Sequence, residues 1–292
     1  MNPAIAPDQW LGGCLIEASP TIQSGRGTIA MNFISTLRSS ALGVALLLAS
    51  GGIAAHADAI DDITAAGQIN VGIFSDFPPF SSASADMSIK GYDIDVAQAI
   101  ADQLKVKLNL VSVTGQNRIP YLTEKRADIL MSVGYSKERA EVIDFAAAYA
   151  PYYIAVIGPH DLKVEGKDDL AGKSIAVNRG TLEDTSLTEA APATADIKRF
   201  DNYNAVIQAF ISGQTQLMVV GNDVGATIIA RNPPIQPEQK FQLFSSPDHV
   251  GLNKNEPRLL KEVDAAIAQA KKDGTLNTLS TKWLKAPYPA DL

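Results

Sequence analysis

Reactive side chains are scarce in this chain. Of 292 residues, one is cysteine, Cys14, and three are histidine. A single cysteine excludes an intrachain disulfide framework. No G-x-S-x-G, H-E-x-x-H or phosphate-loop pattern occurs, so the matching hydrolase, metalloprotease and nucleotide chemistries have no motif to stand on. Positive charge is also in deficit. The formal balance is −7, which gives no reason to expect nucleic acid or an anionic membrane as partner. Long apolar runs are missing too. Ala41–Ala49 is too short to span a bilayer and no other segment qualifies. At 46% apolar and 20% charged the composition is that of a globular protein. The length suffices for two domains with cores of their own.

From Met31 the amino end reads as a secretory leader. Arg38 supplies its positive region, Ala41–Ala49 its apolar region and Ala55-His56-Ala57 a small-x-small cleavage site. Residues 31–57 are therefore expected to be a signal peptide, the mature chain to begin at Asp58, and the protein to be periplasmic. Residues 1–30 show no apolar periodicity and precede a complete leader, so they are expected to be an upstream extension outside the fold. Leu11-Gly12-Gly13-Cys14 resembles a lipoprotein box only superficially. Asp8 stands where its apolar region should be.

The stretch 114–145 organises the rest. A helix is expected from about Asn117, with Arg118 in its first turn. Ala127–Val133 is an apolar run suited to a buried strand, Gly134 breaks it, and Ser136-x-x-Arg139 opens another helix. Upstream, Gln68–Phe74 reads as a strand and Ser75–Phe80 as a turn stiffened by paired prolines. Gly91–Lys105 is an amphipathic helix with Asp93 and Asp95 placed to favour its dipole. Lys107–Val113 reads as a second strand. This alternation predicts an α/β lobe with a mostly parallel sheet between helices. Arg118 and Arg139 then reach one end of the sheet, where open α/β sheets hold ligands. A lone arginine near a helix start can be a solvated charge. Here Arg139 is expected to clamp a carboxylate through paired hydrogen bonds, helped by Ser132.

The second half repeats the theme. Ala150–Gly158 is expected to carry the chain out of the first lobe (58–158), and Pro159–Lys167 to cross to a second lobe (159–246). Ser245–Asp248 should cross back, and 247–292 should return as two helices, Leu259–Ala270 and Asp273–Leu284. Gly180-Thr181 opens a helix, so Thr181 either caps it or meets a ligand anion. Two crossovers make a hinge, with a ligand between the lobes. His160 and His249 read as solvated linker residues, and Glu141 and Asp144 as salt partners close to Arg139.

Val71–Phe80 (VGIFSDFPPF), Gly91–Asp95 (GYDID), Asn117–Leu122 (NRIPYL), Asp128–Ser132 (DILMS), Glu138-Arg139, Val142–Phe145 (VIDF), Gly172–Thr181 (GKSIAVNRGT) and Asp273–Leu284 (DGTLNTLSTKWL) follow one another in fixed order. The set resembles the periplasmic amino-acid-binding proteins of ABC importers, solute-binding family 3. VTGQNRIPYL and KWLKAPYPADL look most like its glutamate/aspartate-binding branch. The resemblance implies a two-lobed periplasmic-binding-protein fold of type II. It also implies a monomer that hands a small carboxylate ligand to a membrane permease, without cofactor or metal. By the same resemblance Arg139 and Ser132 hold the carboxylate, Arg118 faces the ligand side chain, Phe77 forms an aromatic wall and Thr181 contributes from the second lobe. Phe80 is expected in the core.

The departures concern specificity. Phe74 falls where the acidic branch has a second arginine and the basic branch an aspartate. Gly134 falls where a hydroxyl is usual, Leu182 where threonine is common, and Gly115 replaces a larger residue and should leave room. Gly221 falls where the family has the aspartate that holds an α-ammonium, with Asn222 or Asp223 as substitutes after a one-residue shift. A polar or acidic amino acid and an organic acid without an amino group both remain open as ligands. Cyclohexadienyl dehydratases look like these binders but carry a catalytic glutamate in the second lobe. That position falls at Val224 here, so binding without catalysis is expected.

Overall fold

The computed structural model describes residues 58–292; the expected signal peptide, the extension 1–30 and Cys14 lie outside them. Ten longer strands occur in chain order: β1 (Gln68–Ile73), β2 (Lys107–Ser112), β3 (Ile129–Gly134), β4 (Ile143–Ala150), β5 (Tyr153–Pro159), β6 (Ser174–Asn178), β7 (Asp196–Phe200), β8 (Leu217–Gly221), β9 (Pro237–Ser245) and β10 (Asp248–Asn253). They build two five-stranded sheets, ordered β2-β1-β3-β10-β4 and β7-β6-β8-β5-β9. β1 runs parallel to β2 and β3, and β6 runs parallel to β7 and β8. β10 and β5 are the antiparallel insertions.

β3 and β8 are buried at every position, as strands covered on both faces must be. In the first lobe α2 (Tyr92–Leu104) turns Val96, Ala97, Ile100 and Ala101 into the core. The returning helices α8 (Pro257–Lys272) and α9 (Thr275–Trp283) pack against α2. In the second lobe α5 (Leu182–Ala190), α6 (Tyr203–Ile211) and α7 (Asn222–Ala230) cover the other sheet.

The first crossover differs from expectation. The apolar run from Ala150 does not continue as one strand. β4 ends in the first sheet at Ala150, and β5 begins in the second at Tyr153, pairing with β8 and β9. Pro151 has no N–H to continue a ladder, so Pro151-Tyr152 is the link. Pro159–Lys167 instead lies within the second lobe, with Val164 buried. The second link is Ser246-Pro247, between β9 and β10.

The start of α2 also differs. Gly91 sits at φ +151°, and a Cβ there would come within 2.0 Å of the Phe80 carbonyl oxygen. This approach lets Pro79 and Phe80 carbonyls accept the Tyr92 and Asp93 N–H groups at 3.1 and 2.9 Å. With those donors satisfied by backbone, Asp93 is not a cap and turns inward. Asp95 accepts from Lys282 Nζ and Trp283 Nε1, both at 2.7 Å, which fastens α9 to α2.

Asp58 performs the capping that Asp93 does not. Its carboxylate accepts from Ile60 N–H at the start of α1 (Ala59–Ala66), and from Arg258 and Leu259 N–H at the start of α8. Asp58→Ala is therefore expected to cost about 1–2 kcal/mol, the upper range for one cap. A urea midpoint equal to that of the wild type would show that neither helix start depends on it.

Candidate ligand-binding site

A cleft of about 260 Å³ lies between the lobes, and the space left at its centre is only about 10 Å³. That is room for roughly one water molecule. The lobes touch at small residues. A Cβ on Gly115 would lie 2.3 Å from the Arg179 carbonyl oxygen, and one on Gly134 would lie 2.5 Å from Leu182 Cδ2. The room expected beside Gly115 is thus filled by the opposite lobe. Asp76 accepts from Asn204 N–H at 2.8 Å, and the rings of Phe77 and Tyr203 are 4.5 Å apart across the same gap.

Arg118 and Arg139 both line the cleft. Arg118, 3% exposed, opens α3 (Arg118–Thr123) and donates to the Ser132 carbonyl at 3.0 Å. Its guanidinium lies 5.1 Å from the centre of the Phe74 ring, and its Nε has no partner among the described residues. Arg139, in α4 (Lys137–Val142), donates to the Gly134 carbonyl at 3.0 Å. Ser136 caps that helix by accepting from the Arg139 N–H. Neither guanidinium forms a salt bridge among the described residues. Burial, and then the like charge of Arg118, bring Arg139 down to about 10.

Ser132 holds the first of these arginines. It adopts φ +51°, and β3 bulges there against β10. Bulges re-aim side chains beside functional sites. The turned backbone donates its N–H to the Tyr149 hydroxyl at 2.8 Å, the Ser132 side chain donates Oγ–H to Asp93 at 2.7 Å, and Tyr149 in turn donates to Asp93 at 2.6 Å. Burial pushes Asp93 up to about 6, against the lowering effect of the Tyr149 and Ser132 hydrogen bonds. The Ser132 hydroxyl is therefore committed to Asp93.

Two cleft carboxylates escaped the sequence reading. Glu183, 3% exposed, accepts from the Tyr152 hydroxyl at 2.6 Å and the Tyr203 hydroxyl at 3.1 Å. Asp248, 2% exposed, has Oδ2 unpartnered among the described residues. Burial, followed by the charges of Asp93 and Glu183, raises its pKa well above the carboxylate range. The only sequence cue was position: Glu183 follows the helix-opening Gly180-Thr181, and Asp248 follows Pro247 at the head of an apolar strand.

Phe77, Ser132, Gly134 and Thr181 join the two arginines around the cleft, and Leu182 lies beside them. Thr181 Oγ1 donates to the Asn178 carbonyl at 2.8 Å. Phe74 stands behind, edge-on to Phe77 and Tyr203. Phe80 is core, stacked on Phe77 at 5.0 Å. Asn222 is not brought to the cleft: it accepts from Tyr153 N–H at 3.0 Å and donates to Asp223 at 2.9 Å, which turns both side chains toward the start of β5 and away from the cleft lining. The reason is visible at Gly221, where a Cβ would lie 2.2–2.4 Å from the Tyr152 ring. Tyr152 occupies the place of a side chain at 221. Val224 is fully buried. His249 is half-buried in β10, with Nδ1 at 2.8 Å from the Ala146 carbonyl, so it is not a linker residue. Asp144 pairs with Lys254 at 2.8 Å, away from Arg139.

The two-lobed sheets and the cleft between them are the architecture of the periplasmic binding proteins. The chain belongs to the bacterial extracellular solute-binding proteins, family 3, which match residues 69–286. It is 27% identical over 223 residues to the L-cystine-binding protein TcyJ of Escherichia coli K12, covering 75% of this chain and 84% of that one. It is also 27% identical over 269 residues to the glutamate/aspartate import solute-binding protein of Salmonella typhimurium LT2, covering 85% and 86%. Among solved structures, the ancestral amino acid-binding protein AncCDT-1, a precursor of cyclohexadienyl dehydratase, superposes with a TM-score of 0.71 at 30% identity, covering 78% of this chain and all of that one. Other relatives are named for arginine or glutamine. The glutamate/aspartate branch is thus one of several similar relatives.

The Tyr152 ring gives position 221 a direct test. Gly221→Asp is expected to destabilise by about 1–3 kcal/mol, the range for overpacking. In a Tyr152→Gly background the same change should cost less, and urea denaturation of the four proteins gives that coupling. Additive costs would show that the ring does not occupy that place.

Proposed function

We propose that this protein captures a small carboxylate-bearing ligand, a polar or acidic amino acid before a simple organic acid, outside the cytoplasmic membrane. It then delivers the ligand to the permease of an ABC importer, working as a monomer. The observation that carries this reading is the pair of cleft guanidiniums that lack a carboxylate partner among the described residues. Arg139 is bound only to a carbonyl that a carboxylate can displace. A bidentate carboxylate supplies two charge-assisted hydrogen bonds to this half-buried group. Arg118 is held more firmly, so it sets which side chain fits. Phe77 supplies a flat wall and Thr181 meets the ligand from the second lobe. The links Pro151-Tyr152 and Ser246-Pro247 act as the hinge. Family membership and the names of the relatives support transport, and no described helix is long and apolar enough to cross a membrane.

An affinity near 1 μM corresponds to about 8 kcal/mol, and one charge-assisted hydrogen bond contributes about 1.5–3 kcal/mol net. The clamp, the aromatic wall and closure must therefore act together. A thermal-shift screen of amino acids and organic acids should identify the ligand, because binding to the folded state alone raises the melting point. For that ligand, Arg139→Ala is expected to weaken binding by at least about 30-fold in calorimetry while the ligand-free melting curve stays cooperative. Wild-type affinity would remove Arg139 from the clamp. Arg118→Ala is expected to reorder the ligand panel, and an unchanged order would place Arg118 outside the specificity set.

Catalysis on this scaffold is the second reading. AncCDT-1 and the buried Glu183 in the second lobe give it a foothold. Glu183 is already engaged by two tyrosine hydroxyls, which favours a structural carboxylate over a proton carrier. Prephenate and arogenate mixed with the purified protein should show no change in absorbance with time, and turnover would overthrow the binding-only reading.

A further inference from the structure

The cleft holds more acidic side chains than a carboxylate clamp needs. Besides Arg118 and Arg139 it is lined by Glu183 and Asp248, with Asp93 directly behind Ser132. Three of the acidic groups near it are spoken for. Asp93 accepts from Ser132 and Tyr149. Glu183 accepts from Tyr152 and Tyr203. Asp223 accepts from Asn222 and faces an outer groove with Pro79 and Trp283. Asp248 alone among them has a buried carboxylate oxygen with no partner among the described residues, and it borders the cavity.

We infer that Asp248, the first residue of β10 after the second link, receives the ligand's α-ammonium group, so that the ligand is an α-amino acid and not a simple organic acid. The inference rests on the carboxylate-capture reading and adds the second half of the ligand to it. Strand register supports the spacing. Asp248 is the direct partner of Gly134 across β10 and β3, and neighbouring strands lie about 4.8 Å apart. Gly134 is the residue whose carbonyl holds Arg139. The anion and cation subsites are therefore side by side, as the carboxylate and amine of one α-carbon require. The usual alternative position is closed, because the Tyr152 ring stands where a side chain on Gly221 would project. A buried carboxylate without partners is costly, and it is stabilised by an arriving cation. In the ligand-free protein, burial and the nearby carboxylates favour its neutral form.

The test compares amino acids with their des-amino analogues by calorimetry on the purified protein: L-glutamate with glutarate, L-cystine with dithiodipropionate, and L-arginine with δ-guanidinovalerate. In the pair whose amino acid binds best, loss of the amine is expected to weaken wild-type binding by at least about 30-fold. Asp248→Asn should remove most of that difference by weakening the amino acid alone. The melting point of the ligand-free variant should equal or exceed that of the wild type, since a buried acid has been replaced by a neutral isostere. Equal affinity for the amino acid and its analogue overturns the inference and leaves carboxylate capture standing. Full wild-type affinity in Asp248→Asn does the same. If none of the six compounds binds the wild type, the capture reading fails and takes the inference with it. Should Asp248→Asn not fold, the wild-type comparison within each pair still decides.

Discussion

Two cations in one cleft, Arg118 buried and Arg139 half-buried, are the constraint around which this molecule is arranged. Arg118 and Arg139 repel each other, and the cleft leaves little water to screen them. The protein answers with dipoles and not with charges in direct contact. Each guanidinium is met by a carbonyl, from Ser132 and from Gly134, both at 3.0 Å. Aiming the Ser132 carbonyl at Arg118 requires a left-handed backbone, which costs roughly 1–2 kcal/mol in a residue with a side chain. The hydrogen bonds from Ser132 to Tyr149 and Asp93 hold it there. Asp93 is available for this because α2 begins under the Pro79 and Phe80 carbonyls. A chain of causes thus runs from the proline turn to the cleft: Gly91 permits the close approach, the approach frees Asp93, and Asp93 sets the backbone that positions Arg118.

The same cleft explains the shape of the links between the lobes. A space of about 10 Å³ is too small for an amino acid, so capture as proposed would require the lobes to part. Among the described residues, only Pro151-Tyr152 and Ser246-Pro247 join the two sheets. Each link ends the ladder with a proline next to the cleft, and each is followed or formed by a residue that lines it, Tyr152 and Asp248. Movement at the links therefore changes the site itself. Opening would separate the Tyr203 and Phe77 rings, break the contact of Gly134 with Leu182 and readmit water to both arginines. A ligand that neutralises them favours the closed arrangement through its differential affinity for the two states.

Much of the architecture was legible from periodicity. The buried strands, the α2 face and the convergence of Arg118 and Arg139 all follow from spacing and from the rule that open α/β sheets bind at one end. The first link was not legible. Ala150–Gly158 is apolar on both sides of Pro151, and hydropathy does not say which sheet an apolar strand joins. Asp93 was misread as a dipole cap because local rules see a carboxylate in a first turn, not the carbonyls that reach it from Pro79 and Phe80. Gly115 was read as room because a missing side chain looks like space, whereas the opposite lobe fills it. Asn222 was placed in the cleft by a one-residue shift along the chain. Its engagement with Tyr153 depends on a strand pairing between β5 and β8 that no local pattern reveals.

Gly221 and Tyr152 show why the specificity of such a site is harder to read than its scaffold. Each residue is unremarkable alone: a glycine before a helix and a tyrosine after a proline. Together they close one polar position and create another, because the ring that fills the space beside Gly221 also donates its hydroxyl to Glu183 at 2.6 Å. Glu183 is thereby drawn into a tyrosine network in the second lobe, and the carboxylate oxygen left without a partner among the described residues is at the start of β10 instead. The exchange moves which acidic group is available in the cleft from the second lobe to the start of β10. Under the inference drawn for Asp248, an arriving ammonium would stabilise its ionised form, and a ligand without an amine would leave it unmatched. Fold and clamp can thus stay constant while the ligand changes, since the deciding group is set by a packing contact between two residues 69 positions apart in the chain.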